Sequence, residues 1–159
     1  MATYEARPFT VMMAFRRTAR LMVDELVRRL EADGYHGVQP AYHAVFENID
    51  PQGTRLSDLA ARADMTHQSM SELVASLERR GWVERRPDPS DRRARLVCLT
   101  PEGTQTTRRG LHHINEIERE WQERWRKAGY DGQLRPMLED ALKQHERERA
   151  DGHVTSAAT

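Results

Sequence analysis

Residues 66–103 read THQSMSELVASLERRGWVERRPDPSDRRARLVCLTPEG. The first part has helical spacing. Met70, Leu73, Val74 and Leu77 stand at i, i+3, i+4 and i+7 and share one face. Thr66 supplies an N-cap, and Gly81, following Arg79-Arg80, supplies a C-terminal stop. Trp82-Val83-Glu84-Arg85 is an extended run, and Pro87-Asp88-Pro89-Ser90-Asp91 has the composition of a turn. A second extended run, Arg95 to Leu99, places Leu96 and Cys98 opposite Val97 and Leu99. Helix, strand, basic loop and strand outline a winged helix, with its helix and its loop tip free to meet DNA.

Charge agrees with that outline. Seven arginines (79, 80, 85, 86, 92, 93, 95) and three acids (Glu84, Asp88, Asp91) lie between Arg79 and Arg95, a local balance of +4 in a chain of formal net charge zero. A basic cluster on a neutral protein is the footprint expected for phosphates. The competing reading is a solvated arginine-rich hairpin that binds nothing. Arginine outnumbers lysine 23 to 2, which suits forked phosphate contacts and equally fits coding bias.

The residues Asp91-x-Arg93-x-x-x-Val97-x-Leu99-Thr100-x-x-Gly103 resemble the wing signature of the MarR family of bacterial transcription regulators. The preceding Leu77-Glu78-x-x-Gly81-Trp82-Val83-x-Arg85 fits the same family, and the resemblance extends in outline over about residues 9–148. It implies a mainly α fold with a small β-hairpin wing: a winged helix-turn-helix lobe (about 38–100) on a helical dimerisation platform (about 9–33 and 101–149). One MarR-like domain would then span 1–159, with a flexible tail at 150–159.

Composition bounds the rest. A chain of 159 residues, 31% charged and 6% aromatic, is one domain by length. Its limited apolar content fits a protein that completes its core by dimerising. One cysteine excludes an intrachain disulfide and a multi-cysteine zinc site. The first residues carry no signal-peptide pattern and no apolar run is long enough to span a membrane, so the expected location is cytoplasmic, with no membrane partner.

Taken in order, residues 1–8 read as a loose arm. A helix follows from Phe9 to about Ala32, with Phe15, Ala19, Met22, Leu26 and Leu30 in one stripe and Met12, Val23 and Val27 widening it. Pro40 opens a second helix with Tyr42, Val45, Phe46 and Ile49 as its buried face. Thr54-Arg55-Leu56 is too short to assign beyond a third, edge strand. Ser57 is expected to cap a short helix, and Ala63-Asp64-Met65 forms the turn of a helix-turn-helix. Thr100-Pro101-Glu102 starts a helix to about Lys127. A last helix is expected over about Leu134 to Arg149. By the resemblance, Trp121, Trp125, Leu138 and Leu142 are candidates for a dimer interface, and an intrachain core is the competing assignment.

The reading helix offers Gln68, Ser71, Glu72, Ser76 and Arg79 on its outward face, with Thr66, His67 and Ser69 at its start, as DNA-binding candidates. Gln68 suits adenine, and the serines suit several bases or phosphates. The competing reading is an ordinary polar solvent face. The family's Asp-x-Arg pattern places Arg93 at or near the hairpin tip, where it would enter a minor groove. Asp91 would orient it or stabilise the turn. Arg86, Arg92 and Arg95 rank as phosphate contacts, as does Arg85.

Family members commonly respond to a ligand, an oxidant or a metal. Met12, Arg16, Tyr42, His43, Phe46 and His112 are candidates to line a small-molecule pocket, with Arg16 holding an anionic head group. His43, His112 and Glu116 are candidates for a zinc site, and solvated histidines are the competing reading. Cys98 reads as a structural thiol. The leading function is a homodimeric repressor that binds a pseudo-palindromic double-stranded operator and is released by a small effector, with no cofactor. The alternatives are a zinc-responsive regulator of the same fold and a winged-helix module for protein or RNA. No Gly-rich phosphate loop or nucleophile–base pair suggests an enzyme.

Overall fold

The computed structural model runs, in chain order, through α1 (Val11–Ala32), a 3-10 turn (Pro40–Tyr42), α2 (His43–Phe46), β1 (Thr54–Arg55), α3 (Leu56–Arg62), α4 (His67–Arg79), β2 (Val83–Asp88), β3 (Asp91–Leu99), α5 (Pro101–Lys127) and α6 (Leu134–Ser156). The structure describes residues 9–156, the side chains of Arg92 and of residues 150–156 excepted. The expected N-terminal arm and the last residues of the expected tail, 157–159, lie outside the described residues. The backbone of α6 continues through the start of that tail to Ser156.

The chain divides into two units, residues 1–117 and 118–159. The first is the winged-helix lobe with α1 and the start of α5. Its core gathers Tyr42, Val45, Leu59, Ala60, Met70, Val74, Leu77, Trp82, Val83 and Val97, with Phe46, Ile49 and Leu73 packed against it. Three strands pair antiparallel in the order β1-β3-β2. Of the stretch Thr54-Arg55-Leu56, read as a third, edge strand, the first two residues form β1, in register with Val97 and Leu96 of β3, and Leu56 begins α3.

Local chemistry sets the helix ends. Thr10 caps α1, its Oγ1 accepting from the Met13 N–H at 3.2 Å. Thr66 caps α4 by accepting from the Ser69 N–H at 3.1 Å. Between α3 and α4, Asp64 takes φ of 50°, a conformation that aspartate tolerates better than most residues. Ser57 does not cap α3. It lies inside the helix and donates to Asp58, and Arg55 holds the cap position without its side chain capping the helix. The second helix is shorter than its apolar spacing suggests. It ends at Phe46, where the Asn48 side chain donates to the Ala44 carbonyl at 2.9 Å and takes an acceptor near the helix end.

The start of α5 is fixed against the sheet. Thr100 Oγ1 accepts from the Gly103 N–H at 3.0 Å and donates to the Gly81 carbonyl, while the Thr100 N–H donates to the Trp82 carbonyl at 3.1 Å. A Cβ on Gly103 would stand 1.8 Å from that Trp82 oxygen. The Thr-x-x-Gly spacing thus has a steric reason: α5 begins in contact with the backbone leading into β2.

In the second unit, Gly129 turns the chain with φ of 95° after α5. Trp121 and Trp125 meet at a tilt of 42° with centroids 5.9 Å apart, and Arg124 covers Trp121 at 5.2 Å. Gln122 donates to the Gly132 carbonyl at 2.6 Å, tying the turn to the helix. Leu142 on α6 remains 62% exposed.

Candidate nucleic-acid interface

The apolar stripe of α4 is buried against the lobe core, with Met70, Val74 and Leu77 all at 0% exposure. That burial fixes the rotation of the helix and turns His67, Gln68, Glu72 and Arg79 to solvent. Gln68 Nε2 donates to Glu72 Oε1 at 3.2 Å, one turn away, so the two side chains present one amide–carboxylate pair. Thr66 and Ser69 bond to each other at the cap, hydroxyl to hydroxyl at 2.8 Å. Ser71 is half-buried.

Ser76 is placed differently. Its hydroxyl lies 2.7 Å from the Tyr42 hydroxyl, in a contact that faces the lobe. Arg80 completes the cluster. Its Nε donates to Tyr42 Oη at 3.1 Å, its Nη1 donates to the His36 carbonyl at 3.2 Å, and its guanidinium lies 5.6 Å from the Trp82 ring centre. Burial pushes the Tyr42 phenol up, but the bonds from Ser76 and Arg80 outweigh it and hold the phenol below its usual pKa. Of the basic cluster's arginines, Arg80 therefore acts as a structural brace.

The wing departs from the sequence reading in one respect that matters for the site. The strands are longer than expected and the loop is only Pro89-Ser90. Pairing runs Val83↔Leu99 to Pro87↔Arg95, then jumps to Asp88↔Asp91. Residues 92–94 of β3 thus have no partner on β2 and form a bulge. Arg93 sits at its middle, exposed, with its own N–H received by Asp91 Oδ1 at 3.0 Å. Asp91 therefore stabilises the bulge backbone.

The remaining arginines sort by their partners. Arg85 pairs with Glu78 at 3.2 Å, and Arg86 pairs with Glu84 on its own strand. Among the described residues, Arg79, Arg93 and Arg95 have no carboxylate within 4 Å and are exposed. The side chain of Arg92 lies outside the described residues. Arg55, on β1, is the residue that the sequence reading missed. Its Nε and Nη2 donate to the Asp88 carboxylate at 2.7 and 2.6 Å, and Nη2 stands 3.4 Å from Ser90 Oγ. Asp88 is 5% exposed and also receives the Ser90 N–H at 2.8 Å. Its pKa is held down to about 2, first by Ser90 and then by Arg55. No local spacing signals a pair 33 residues apart.

A cavity of about 110 Å³ lies in the same unit, bounded by α1, the 3-10 turn with α2, and α5. Its walls are mainly apolar, with Leu26, Leu30, Val38 and Ile114 among them. Of the residues expected around a pocket, Tyr42, His43 and Phe46 line it. Met12, Arg16 and His112 are not among its lining residues and are exposed. His43 pairs with Glu47 at 3.1 Å and His112 with Glu116 at 3.5 Å. Among the described residues no group of three His, Cys, Asp or Glu side chains is placed to hold a metal ion. Cys98 is buried, its Sγ 3.7 Å from the Gln52 carbonyl. No helix of the described residues is long and apolar enough to cross a membrane.

Comparison with known proteins agrees with this geometry. Residues 36–94 match the model of a family described as MarR family. Over 95 residues the chain is 33% identical to the transcriptional regulator HosA of Escherichia coli O111:H-, covering 57% of this chain and 70% of that protein. The structure is similar to Sco3205, a MarR family regulator from Streptomyces coelicolor solved in complex with DNA, at 29% identity and TM-score 0.56, covering 94% and 92% of the two chains. The fold is also that of CouR from Rhodococcus jostii RHA1 bound to p-coumaroyl-CoA, at 21% identity and TM-score 0.67, covering 84% and 89%.

Proposed function

The chain belongs to the MarR family of transcriptional regulators, and on that premise we propose that it is a homodimeric, cytoplasmic repressor that reads a pseudo-palindromic duplex with α4 and the wing. The observation that carries this reading is the combination, on one lobe, of an open polar face on α4 and unneutralised arginines at 79, 93 and 95. A recognition helix enters a major groove by such a face, and half-sites about 10 bp apart suit a two-fold dimer. Gln68 reads a base edge, while His67, Ser69, Ser71, Glu72 and Arg79 lie near bases or phosphates. Arg93 enters the flanking minor groove, and Arg86, Arg92 and Arg95 meet phosphates. Thr66 acts through its cap. Ser76, held by Tyr42, contributes by fixing the helix.

Dimerisation is supported by the first half of α1 and by Phe9 just before its cap. Phe9, Val11, Met12, Phe15 and Leu21 are 48–81% exposed on one chain, more apolar surface than a helix leaves in water without a partner. Effector release is supported by the cavity beside α1 and α5. Its volume approaches that of cavities that accept a single aromatic ring, and its walls favour a small apolar ligand. Filling it shifts the balance between lobe positions only insofar as the ligand prefers one of them.

The test is selection of duplexes from a randomised pool by the purified protein, followed by a salt series on the selected duplex and a scrambled one. The proposal expects strong preference for the selected duplex and a steep loss of affinity with salt. Equal, weak affinity for both duplexes, or preference for single-stranded RNA, would overturn it.

A further inference from the structure

We propose that Arg55 is a positioning residue for DNA binding: from β1 it clamps the two acidic residues that close the wing bulge and so sets the aim of Arg93. The inference rests on the reading of Arg93 as a DNA contact. The clamp begins with an electrostatic problem. The last cross-strand pair of the wing is Asp88↔Asp91, two carboxylates directly opposite, an arrangement that by itself opens a strand pair. Everything between that pair and Pro87↔Arg95 on β3 is the unpaired stretch 92–94 that carries Arg93. The bulge is defined only if Asp88 and Asp91 stay together.

Arg55 is the cation placed to hold them. It forks onto Asp88 at 2.6 and 2.7 Å, and its Nη2 also stands 3.9 Å from Asp91 Oδ2 and 3.4 Å from Ser90 Oγ. Asp88 spends its remaining acceptor capacity on the loop, taking the Ser90 N–H at 2.8 Å and the Ser90 hydroxyl at 2.6 Å. Asp91 in turn receives the N–H of Arg93 at 3.0 Å. Two links therefore join the guanidinium on β1 to the backbone of Arg93, Arg55 to Asp91 and Asp91 to Arg93, while two more, Arg55 to Asp88 and Asp88 to Ser90, hold the opposite side of the hairpin. The base of the chain of links is rigid, because Arg55 is in register with Leu96 on the central strand. A guanidinium suits the task because its planar fork meets several acceptors at once, which a lysine ammonium does as a point charge only.

The experiment is a double-mutant cycle on a duplex selected by the wild-type protein from a randomised pool, with affinities read across a salt series. R93A should weaken binding by about tenfold and lower the salt slope by about one. R55A should lose no more than about that tenfold, and R55A/R93A should bind as R93A does, because Arg55 acts only through Arg93. R55K should fall between R55A and the wild type, which also keeps the test informative if R55A folds poorly. Additive losses in the double variant would make Arg55 an independent DNA contact or a general stabiliser of the lobe and overturn the proposal. An R55A variant that binds like the wild type would overturn it too. Unchanged affinity in R93A would instead remove the wing reading on which the clamp depends.

Discussion

Replacing Gly103 by alanine tests the packing that joins the wing to α5. The ideal Cβ would lie 1.8 Å from the Trp82 carbonyl oxygen, 2.8 Å from its carbon and 3.2 Å from its Cα. All three are backbone atoms, and the oxygen already receives the Thr100 N–H at 3.1 Å. No side chain can swing away, so α5 must shift and strain the Thr100 cap. Overpacking costs about 1–3 kcal/mol, and an obstacle made of backbone places G103A near the upper end. At about 2–4 °C per kcal/mol for a chain of this size, the melting temperature should fall by roughly 6–12 °C. Gly110 on the same helix is the control, since a Cβ there meets nothing within 4 Å. G110A should therefore gain about 0.5–1 kcal/mol from helix propensity. Thermal denaturation by far-UV circular dichroism, at one fixed protein concentration because a dimer melts with concentration, separates the two. A G103A melting temperature equal to that of the wild type, or equal losses in both variants, would refute the steric argument.

Other residues give independent checks. R80M should destabilise the lobe by about 2 kcal/mol, through two lost hydrogen bonds and the lost cover of Trp82, read by urea unfolding; a loss of DNA affinity with unchanged stability would contradict its role as a brace. Asp88 titrates near pH 2 in the fold against about 3.9 when unfolded. A depressed carboxylate contributes stability that is complete above the unfolded value and lost as pH falls through the folded one. The urea midpoint of D88N should therefore lie below that of the wild type from pH 7 to 5, and the gap should close on acidification towards pH 2; a gap independent of pH would sink this. Q68A should cost roughly 1–3 kcal/mol on a selected duplex and little on a scrambled one, and equal losses on both would mean that Gln68 does not read a base.

Legibility followed the range of the interactions. The α4 stripe of Met70, Leu73, Val74 and Leu77 was plain because helical spacing is local, and so were the Thr66 cap and the Thr100-Pro101 start of α5. The expected winged helix with a third short strand is the fold observed. The extent of the second helix was misjudged because apolar spacing continues to Ile49 while the Asn48 side chain ends the helix earlier. The wing bulge was invisible because strand alternation carries no sign of where pairing skips. Two structural arginines, Arg55 and Arg80, could not be told from surface ones. Their partners, Asp88 and Tyr42, lie more than thirty positions away in the chain.

The most direct measurement is a hydroxyl-radical footprint of the protein on a selected duplex, with R93A beside the wild type. The account predicts two protected stretches of backbone about 10 bp apart, flanked by minor-groove protections that disappear in R93A while the central ones remain. A single protected segment, or flanking protections that survive in R93A, would contradict a dimer that reads DNA with α4 and the Arg93 wing.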